Sequence, residues 1–350
     1  MRDLIGMRAL VKAKPEVGLE LKEVEEPKAD PRGLLLRVRS AAICGSDVHI
    51  YDWDPAYRFM RLPLIIGHEF AGEVVEVGEG LSGFGPGDRV AINPCIPCWR
   101  CRMCRSGRIG ICYNWSLLGV HRNGGFAEYA AIPGEIGGIY KLPEGVSFDE
   151  GALLEPFCVA LHAWERSGAG PGDSALILGP GPIGILTAAV LKAAGLSKVF
   201  ITGVSADKSR LECAKGMGAD FAINVDEEDL ARIIKENTGG EGVDFIFEAS
   251  GSPGALAKAL DLLHKGGKAI LLGIHPTPVS LPVNEIVRGE RELIGSYVYN
   301  DGTWRRALDL VSKGRVDLKR LITHRLPLEG WIEGFELAKG KRAVKVVFHP

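Results

Sequence analysis

The chain has 350 residues, 46% hydrophobic and 25% charged, with a formal net charge of −2. This length exceeds what one hydrophobic core usually organises, so two domains are expected, and the balanced charge gives neither a basic field for nucleic acid nor an acidic tail. The first thirty residues lack the apolar core and cleavage site of an export signal, and the most apolar stretch, residues 175–196, is broken by glycine and proline. A cytoplasmic protein with no nucleic-acid or membrane partner is therefore expected.

The first part of the chain carries short β-type runs, LLLRVRSAAI (34–43), GEVVEVG (72–78) and DRVAI (88–92), separated by Gly, Pro and Asp. They predict a mostly β domain over residues 1–155. Within it, Cys44 ends an apolar run in ICGSDVH, and the pair His68 and Glu69 lies in IIGHEFAG. Cysteine, histidine and carboxylate together suit a metal site that keeps one position open.

Four further cysteines, Cys98, Cys101, Cys104 and Cys112, follow at C-x2-C-x2-C-x7-C spacing. Four thiolates complete a tetrahedral zinc and leave no place for a substrate, so this ribbon reads as structural, with iron as the other metal that suits such a set. Pro94, Pro97, Gly107 and Gly110 fit a loop wrapped around one ion. Cys95 extends the ladder by another three-residue step, leaving a choice of four ligands from five. The reading favoured is Cys112 with its three nearest cysteines, Cys95 remaining free. Tight spacing without an export signal favours metal over disulfides.

Near Glu155, in the apolar segment GALLEPFCVALHA, the texture changes. A buried carboxylate is costly unless paired or bound to metal; the alternative for Glu155 is a carboxylate near a helix N-terminus. Strands then alternate with helices: SALILGPG into PIGILTAAVLKAAG, KVFITGV into SADKSRLECAKGMG, then VDFIFEAS, KAILLGI and ELIGSYV. This alternation predicts an α/β domain with a doubly wound parallel sheet over residues 156–297. A helix (TWRRALDLVSKG) and a last strand (AVKVVF) over 298–350 are expected to return to the first domain.

The run Gly179, Pro180, Gly181, Pro182, Ile183, Gly184 lies between a strand and a helix, the context a dinucleotide fingerprint requires. Its glycines admit a pyrophosphate to the helix N-terminus. NAD sites usually place a carboxylate about twenty residues further on, but nineteen residues beyond Gly184 stands Gly203. Gly203 leaves room for a 2′-phosphate that Ser205, Lys208 and Arg210 would bind, so NADP is favoured over NAD. The alternatives are that Asp207 takes the acidic role in a longer turn, or that Lys208 and Arg210 begin a solvated helix.

GHEFAGEVVEVG, the four-cysteine ribbon, GGFAEYA and GPGPIG, in this order and spacing, resemble the zinc-dependent medium-chain alcohol dehydrogenases over essentially the whole chain. ICGSDVHIYDWD is most similar to the threonine dehydrogenases of that family, and the Glu-Pro segment and C-terminal part to its sorbitol and polyol dehydrogenases. The resemblance implies a GroES-like catalytic domain beside a Rossmann domain, with one catalytic and one structural zinc per chain. Cys44, His68 and Glu155 would hold the catalytic zinc, with Glu69 as an exchangeable ligand or close neighbour and Asp47 orienting the ligands. Ser46 and His49 would pass the alcohol's proton outward. The implied reaction moves a hydride between a secondary alcohol, first a polyol or sugar alcohol and alternatively L-threonine, and NADP or NAD.

Threonine dehydrogenases usually carry a histidine where this chain has Cys95, which favours the polyol. Tyr51, Trp53, Phe59, Tyr297 and Tyr299 are candidates to line a substrate cleft or to pack in the core. The resemblance also implies a homodimer or homotetramer paired through the cofactor-domain sheet, with GSYVY near residue 297 as the edge strand. A non-catalytic dinucleotide-binding or structural protein is the rival of another class; retention of every ligand speaks against it.

Overall fold

The computed structural model describes residues 6–350. They form two compact units: the described residues up to Glu155 with Tyr299–Lys313 and Ile322–Pro350, and Pro156–Val298 with Gly314–Leu321. The division falls inside the helix Phe148–Ser167. Whereas the sequence suggests an unbroken return after residue 298, Gly314–Leu321 stays with the second unit, where the Arg320 guanidinium donates to the Gly216 carbonyl at 2.8 Å.

The first unit is built on the strand Leu34–Ala42, whose alternation buries Leu34, Leu36 and Val38 while Arg37 and Arg39 face outward. Glu69–Val77 pairs antiparallel along one edge, with Ala42 opposite Glu69. The C-terminal strand Lys345–His349 pairs along the other, with Val347 opposite Ala42. Residues distant in sequence thus meet at one end of a single strand, where Cys44 begins the helix Gly45–Tyr51. Phe126 packs edge-on against Phe348 at 5.4 Å and anchors the core beneath this end.

The second unit holds a six-stranded, all-parallel sheet in the order Phe221–Asn224, Lys198–Gly203, Ser174–Leu178, Val243–Glu248, Leu263–Leu271, Glu292–Gly295. Ser174–Leu178 is buried at every position, as a central parallel strand covered on both faces must be. The strand order reverses between this strand and Val243–Glu248, the place where such sheets bind ligands. The expected edge strand GSYVY is corrected: the strand ends at Gly295, and Val298 at φ 55° breaks the extended run. Among the described residues, no helix is long and apolar enough to cross a membrane.

Asp149, in the first turn of the helix Phe148–Ser167, ties three strands to that helix. Its carboxylate accepts from Ser40 Oγ at 2.9 Å, Arg325 Nε at 2.7 Å and His349 Nε2 at 2.8 Å. Burial opposes the charge, but these donors hold the carboxyl well below its usual pKa. A depressed folded-state pKa gives stability that is fully present above the unfolded value and is lost as pH falls through the folded one. Because the Arg325 and His349 partners are partly exposed, Asp149→Asn is expected to destabilise the protein by about 1–2 kcal/mol at neutral pH. Denaturant titrations should show that difference shrinking as pH drops below about 4.

Candidate metal and dinucleotide sites

Cys44 caps the helix Gly45–Tyr51 in extended conformation, its N–H donating to Asp47 Oδ2 at 2.9 Å. The other Asp47 oxygen lies 3.7 Å from His68 Nδ1, too far for a hydrogen bond, so one carboxylate ties down the Cys44 backbone and sets its charge beside the His68 ring. Gly67 sets the direction of His68: its φ is +91°, and a Cβ there would stand 2.5 Å from the Phe126 ring, so both backbone conformation and packing demand glycine. Glu69 follows at the head of its strand, and Lys345 reaches it with Nζ at 2.7 Å from Oε1 and 2.6 Å from Oε2. This lysine and carboxylate are both fully enclosed.

The ligand atoms of Cys44, His68 and Glu69 lie within 4.8 Å of one another, a spacing from which three groups can converge on one ion. Glu155 stands outside that tight set, its Oε1 accepting from the Tyr299 hydroxyl at 2.8 Å. Burial pushes the Glu155 carboxyl up to about 7. Burial opposes a charge on His68, yet Cys44, Asp47 and Glu155 outweigh it and raise the imidazole well above its ordinary pKa. Ser46 Oγ, Asp47 Oδ1 and His68 Nδ1 are buried without a hydrogen-bond partner among the described residues. Acidic groups in excess of cations, with orphaned polar atoms beside them, fit a divalent cation. Ser46 and His49 stand one helical turn apart; His49 is exposed and bonded through Nδ1 to Asp54 at 3.2 Å.

The ribbon sulfurs of Cys98, Cys101, Cys104 and Cys112 also gather within 4.8 Å. Cys101 lies 3.5 Å from Cys104 and 3.8 Å from Cys112, sulfur to sulfur. A tetrahedron with zinc–sulfur bonds of about 2.3 Å has an edge of about 3.8 Å, so the set fits zinc and excludes disulfide bonding within it. Backbone N–H groups, Cys104's first, pull the Cys101 thiol down to about 6, toward the thiolate a metal binds. Cys95 is not in this set: it is buried with Sγ 3.9 Å from the Tyr299 hydroxyl, and burial raises its thiol strongly.

In the second unit, Gly179 and Gly184 are fixed by packing, since a Cβ would stand 2.8 Å from Ser250 or 2.0 Å from the Gly179 carbonyl. Gly181 differs: a Cβ there would meet nothing, and it caps the helix Pro182–Ala193 without a side-chain hydrogen bond. A bare, uncapped helix N-terminus with open space before it fits a pyrophosphate; Pro182 and Ile183 form its first turn.

Gly203 receives a packing reason in place of the one expected, because a Cβ would stand 2.8 Å from Pro180. Ser205 is already engaged: its N–H donates to Asp226 at 2.8 Å and its hydroxyl accepts from Asn224 at 3.0 Å. Asp207 is buried and accepts from the Val204 N–H, Arg210 packs with Nη1 4.0 Å from it, and Lys208 is exposed.

Sequence reasoning missed Glu248. It ends the strand next to the fingerprint, fully buried, and its Oε1 accepts from Ser250 N, Ser250 Oγ and Gly251 N at 2.8, 2.5 and 3.0 Å. It thereby braces the turn that packs on Gly179. A carboxylate closing the apolar run VDFIFE was the available signal. Lys345 was missed as well, though it interrupts the apolar strand AVKVVF on a buried position. Among the aromatic candidates, Tyr51 stacks on Phe335 at 5.5 Å, Lys12 sits over Trp53, Phe59 and Tyr297 are exposed, and Tyr299 is buried.

Residues 30–144 match the model of the alcohol dehydrogenase GroES-like domain, and residues 182–313 that of the zinc-binding dehydrogenases. An L-threonine 3-dehydrogenase of Aliivibrio fischeri is 39% identical over 97% of this chain and 98% of its own. The 2R,3R-butanediol dehydrogenase of Bacillus subtilis superposes with a TM-score of 0.89 at 33% identity, covering 98% of this chain and 99% of its own. A protein described as a zinc-binding dehydrogenase from Sinorhizobium meliloti, bound to NADP, gives 0.91 at 30% identity over 99% of this chain and 100% of its own. The chain belongs to the zinc-dependent medium-chain alcohol dehydrogenases. It is an enzyme, an oxidoreductase that moves a hydride between an alcohol and a nicotinamide dinucleotide.

Two zinc ions per chain are expected by metal analysis. Cys112→Ser should lose about one equivalent and lower the melting temperature, while Cys95→Ser should keep both; loss of the ribbon metal from Cys95→Ser would reverse the choice of ligands.

Proposed function

We propose that this enzyme oxidises a neutral secondary alcohol with a neighbouring hydroxyl, a polyol or sugar alcohol, using NADP in preference to NAD. The observation that carries the substrate class is the neutral pair beside Glu155: Tyr299 on its carboxylate and Cys95 behind, both buried. Neither supplies a cation for the carboxylate of an amino acid. The diol named for the Bacillus subtilis structure supports the same class. A second reading, L-threonine 3-dehydrogenase, is favoured by relatives at 37–39% identity.

Cys44, His68 and Glu155 hold the catalytic zinc, with Glu69 adjacent on Lys345, and Cys98, Cys101, Cys104 and Cys112 hold the structural one. When bound, zinc makes an alcohol hydroxyl more acidic and the dinucleotide takes the hydride from its carbon. Asp47 fixes the Cys44 backbone by a hydrogen bond and faces the His68 ring with its charge, which favours one ligand direction. Ser46 Oγ, buried without a hydrogen-bond partner among the described residues, would accept the alcohol's proton while giving up its own toward His49, and exposed His49, its ring steadied by Asp54, would release a proton to solvent.

Gly179, Gly181 and Gly184 carry the pyrophosphate at the helix start. Lys208 and Arg210 hold the 2′-phosphate, because Gly203 ends its strand without a carboxylate and Asp207 is turned inward to Val204. Ser205, bound to Asp226, is left out of that site. The NADP-bound structure from Sinorhizobium meliloti supports this choice. Two copies pair through the edge strand Glu292–Gly295, beside which Val283, Val287 and Leu293 are exposed. Eight free cysteines suit the reducing cytoplasm.

Steady-state assays with sorbitol, galactitol, 2,3-butanediol and L-threonine and both cofactors test the whole reading. The polyols or the diol should give the highest kcat/KM; a preference for threonine would establish the second reading. NADP should bind more tightly than NAD, and Arg210→Ala should narrow the gap; equal affinities in the parent enzyme would remove the phosphate site. His49→Ala should slow oxidation about tenfold or more, with imidazole buffer restoring part of the rate.

A further inference from the structure

The fifth cysteine of the ribbon region and a tyrosine two hundred residues away form a buried chain of donors ending on Glu155. The Cys95 thiol donates to the Tyr299 hydroxyl at 3.9 Å, and that hydroxyl donates to Glu155 Oε1 at 2.8 Å. Tyr299 is 1% exposed and has little freedom to leave. Its ring meets Trp304 edge-on at 5.6 Å, and Trp304 stacks on Tyr140 at 5.0 Å with the planes 5° apart. The Tyr140 hydroxyl in turn donates to Asp301 at 2.5 Å. An aromatic stack thus holds one phenol against one carboxylate oxygen.

We infer that Tyr299 is a positioning residue that makes Glu155 a one-oxygen metal ligand and so keeps a coordination position open for the alcohol. The inference rests on the assignment of Glu155 to the catalytic zinc. A carboxylate can present one oxygen or two to a metal. With Cys44 and His68, a two-oxygen Glu155 would complete four positions, and a closed four-coordinate zinc has no place for substrate. The hydrogen bond takes one of the two Oε1 lone pairs and draws charge from that oxygen, which favours Oε2 as the metal donor. Cys95 contributes by filling one lone pair of the phenol oxygen, which directs the phenol's own proton toward Glu155. This gives Cys95 a function away from the ribbon: a thiol kept neutral by burial serves as a donor, where a thiolate would be needed to bind metal.

The test is cobalt substitution of both zinc sites in the full-length enzyme, with the cobalt–thiolate bands of the four-cysteine ribbon as an internal reference. Tyr299→Phe removes only the hydroxyl. Its catalytic-site d–d bands should weaken and shift as the coordination number rises, and kcat should fall about 10–100-fold. The ribbon bands and the KM for the dinucleotide should stay at parent values. A folded Tyr299→Phe enzyme with the parent cobalt spectrum and kcat would overturn the inference. Tyr299→Met, similar in bulk and lacking the hydroxyl, is read the same way if the phenylalanine variant does not fold. Glu155→Gln separates the two levels of the argument: a parent spectrum in that variant removes Glu155 from the metal and the inference with it. A changed spectrum there with an unchanged one in Tyr299→Phe leaves the ligand assignment standing and rejects only the role of the tyrosine.

Discussion

The organising constraint of the first unit is an excess of acid in a place sheltered from water. Cys44, Asp47, Glu69 and Glu155 meet there against two cationic side chains, His68 and Lys345. Lys345 compensates Glu69 with contacts to both oxygens, and Asp47 is turned toward His68. Burying carboxylates without compensation is strongly unfavourable. The rise of Glu155 toward neutrality and of His68 well above its usual pKa are two responses to the same imbalance. A divalent cation removes the imbalance directly, which is the physical reason that a zinc-dependent enzyme can carry so costly an arrangement of charge.

The fold makes this arrangement attainable by using one strand end as a meeting point. Ala42 has Glu69 opposite it on one side and Val347 on the other, and Cys44 follows two residues later. Continuing the register brings Lys345 level with Cys44. Gly67 and Phe126 turn His68 inward from the same place, and the helix that carries Glu155 has Asp149 in its first turn, itself bound to Ser40 of that strand. Site geometry and core packing are therefore one problem here. A change in register of the C-terminal strand would move Lys345 off Glu69 and unbalance the metal site without touching a metal ligand.

What the sequence makes legible is whatever is encoded locally. The ribbon is four cysteines within fifteen residues, and the structure gathers those same four sulfurs. The glycine fingerprint is a strand, three residues and a helix, and the parallel sheet follows from the alternation around it. Long-range pairings leave almost no local trace. Lys345 looks like one polar interruption in an apolar strand, and nothing near Tyr299 announces that its hydroxyl reaches Glu155. The turn after Lys198–Gly203 hides its contacts for the same reason: Ser205 reads as a phosphate ligand, and its hydrogen bonds with Asp226 and Asn224, some twenty residues on, leave no trace nearby in the sequence. Gly295–Tyr299 has strand composition, but the positive φ of Val298 belongs to a chain leaving the sheet.

On the reading proposed above, the groups around the metal and the neutral groups beside Glu155 come from different parts of the chain. Cys44, Ser46, Asp47 and His68 lie within one helix turn and one strand end, and their geometry is the same whatever the remainder of the substrate carries. Cys95 precedes the ribbon and Tyr299 opens the segment re-entering the first unit, and together they place neutral groups beside Glu155. Exchanging a neutral donor for a cation there alters the preferred substrate class by the cost of leaving a carboxylate or a cation unpaired, which is several-fold larger than most surface effects. Relatives alike over the whole chain carry the names of an amino-acid dehydrogenase and of a diol dehydrogenase, so whole-chain identity alone does not separate the two substrate classes.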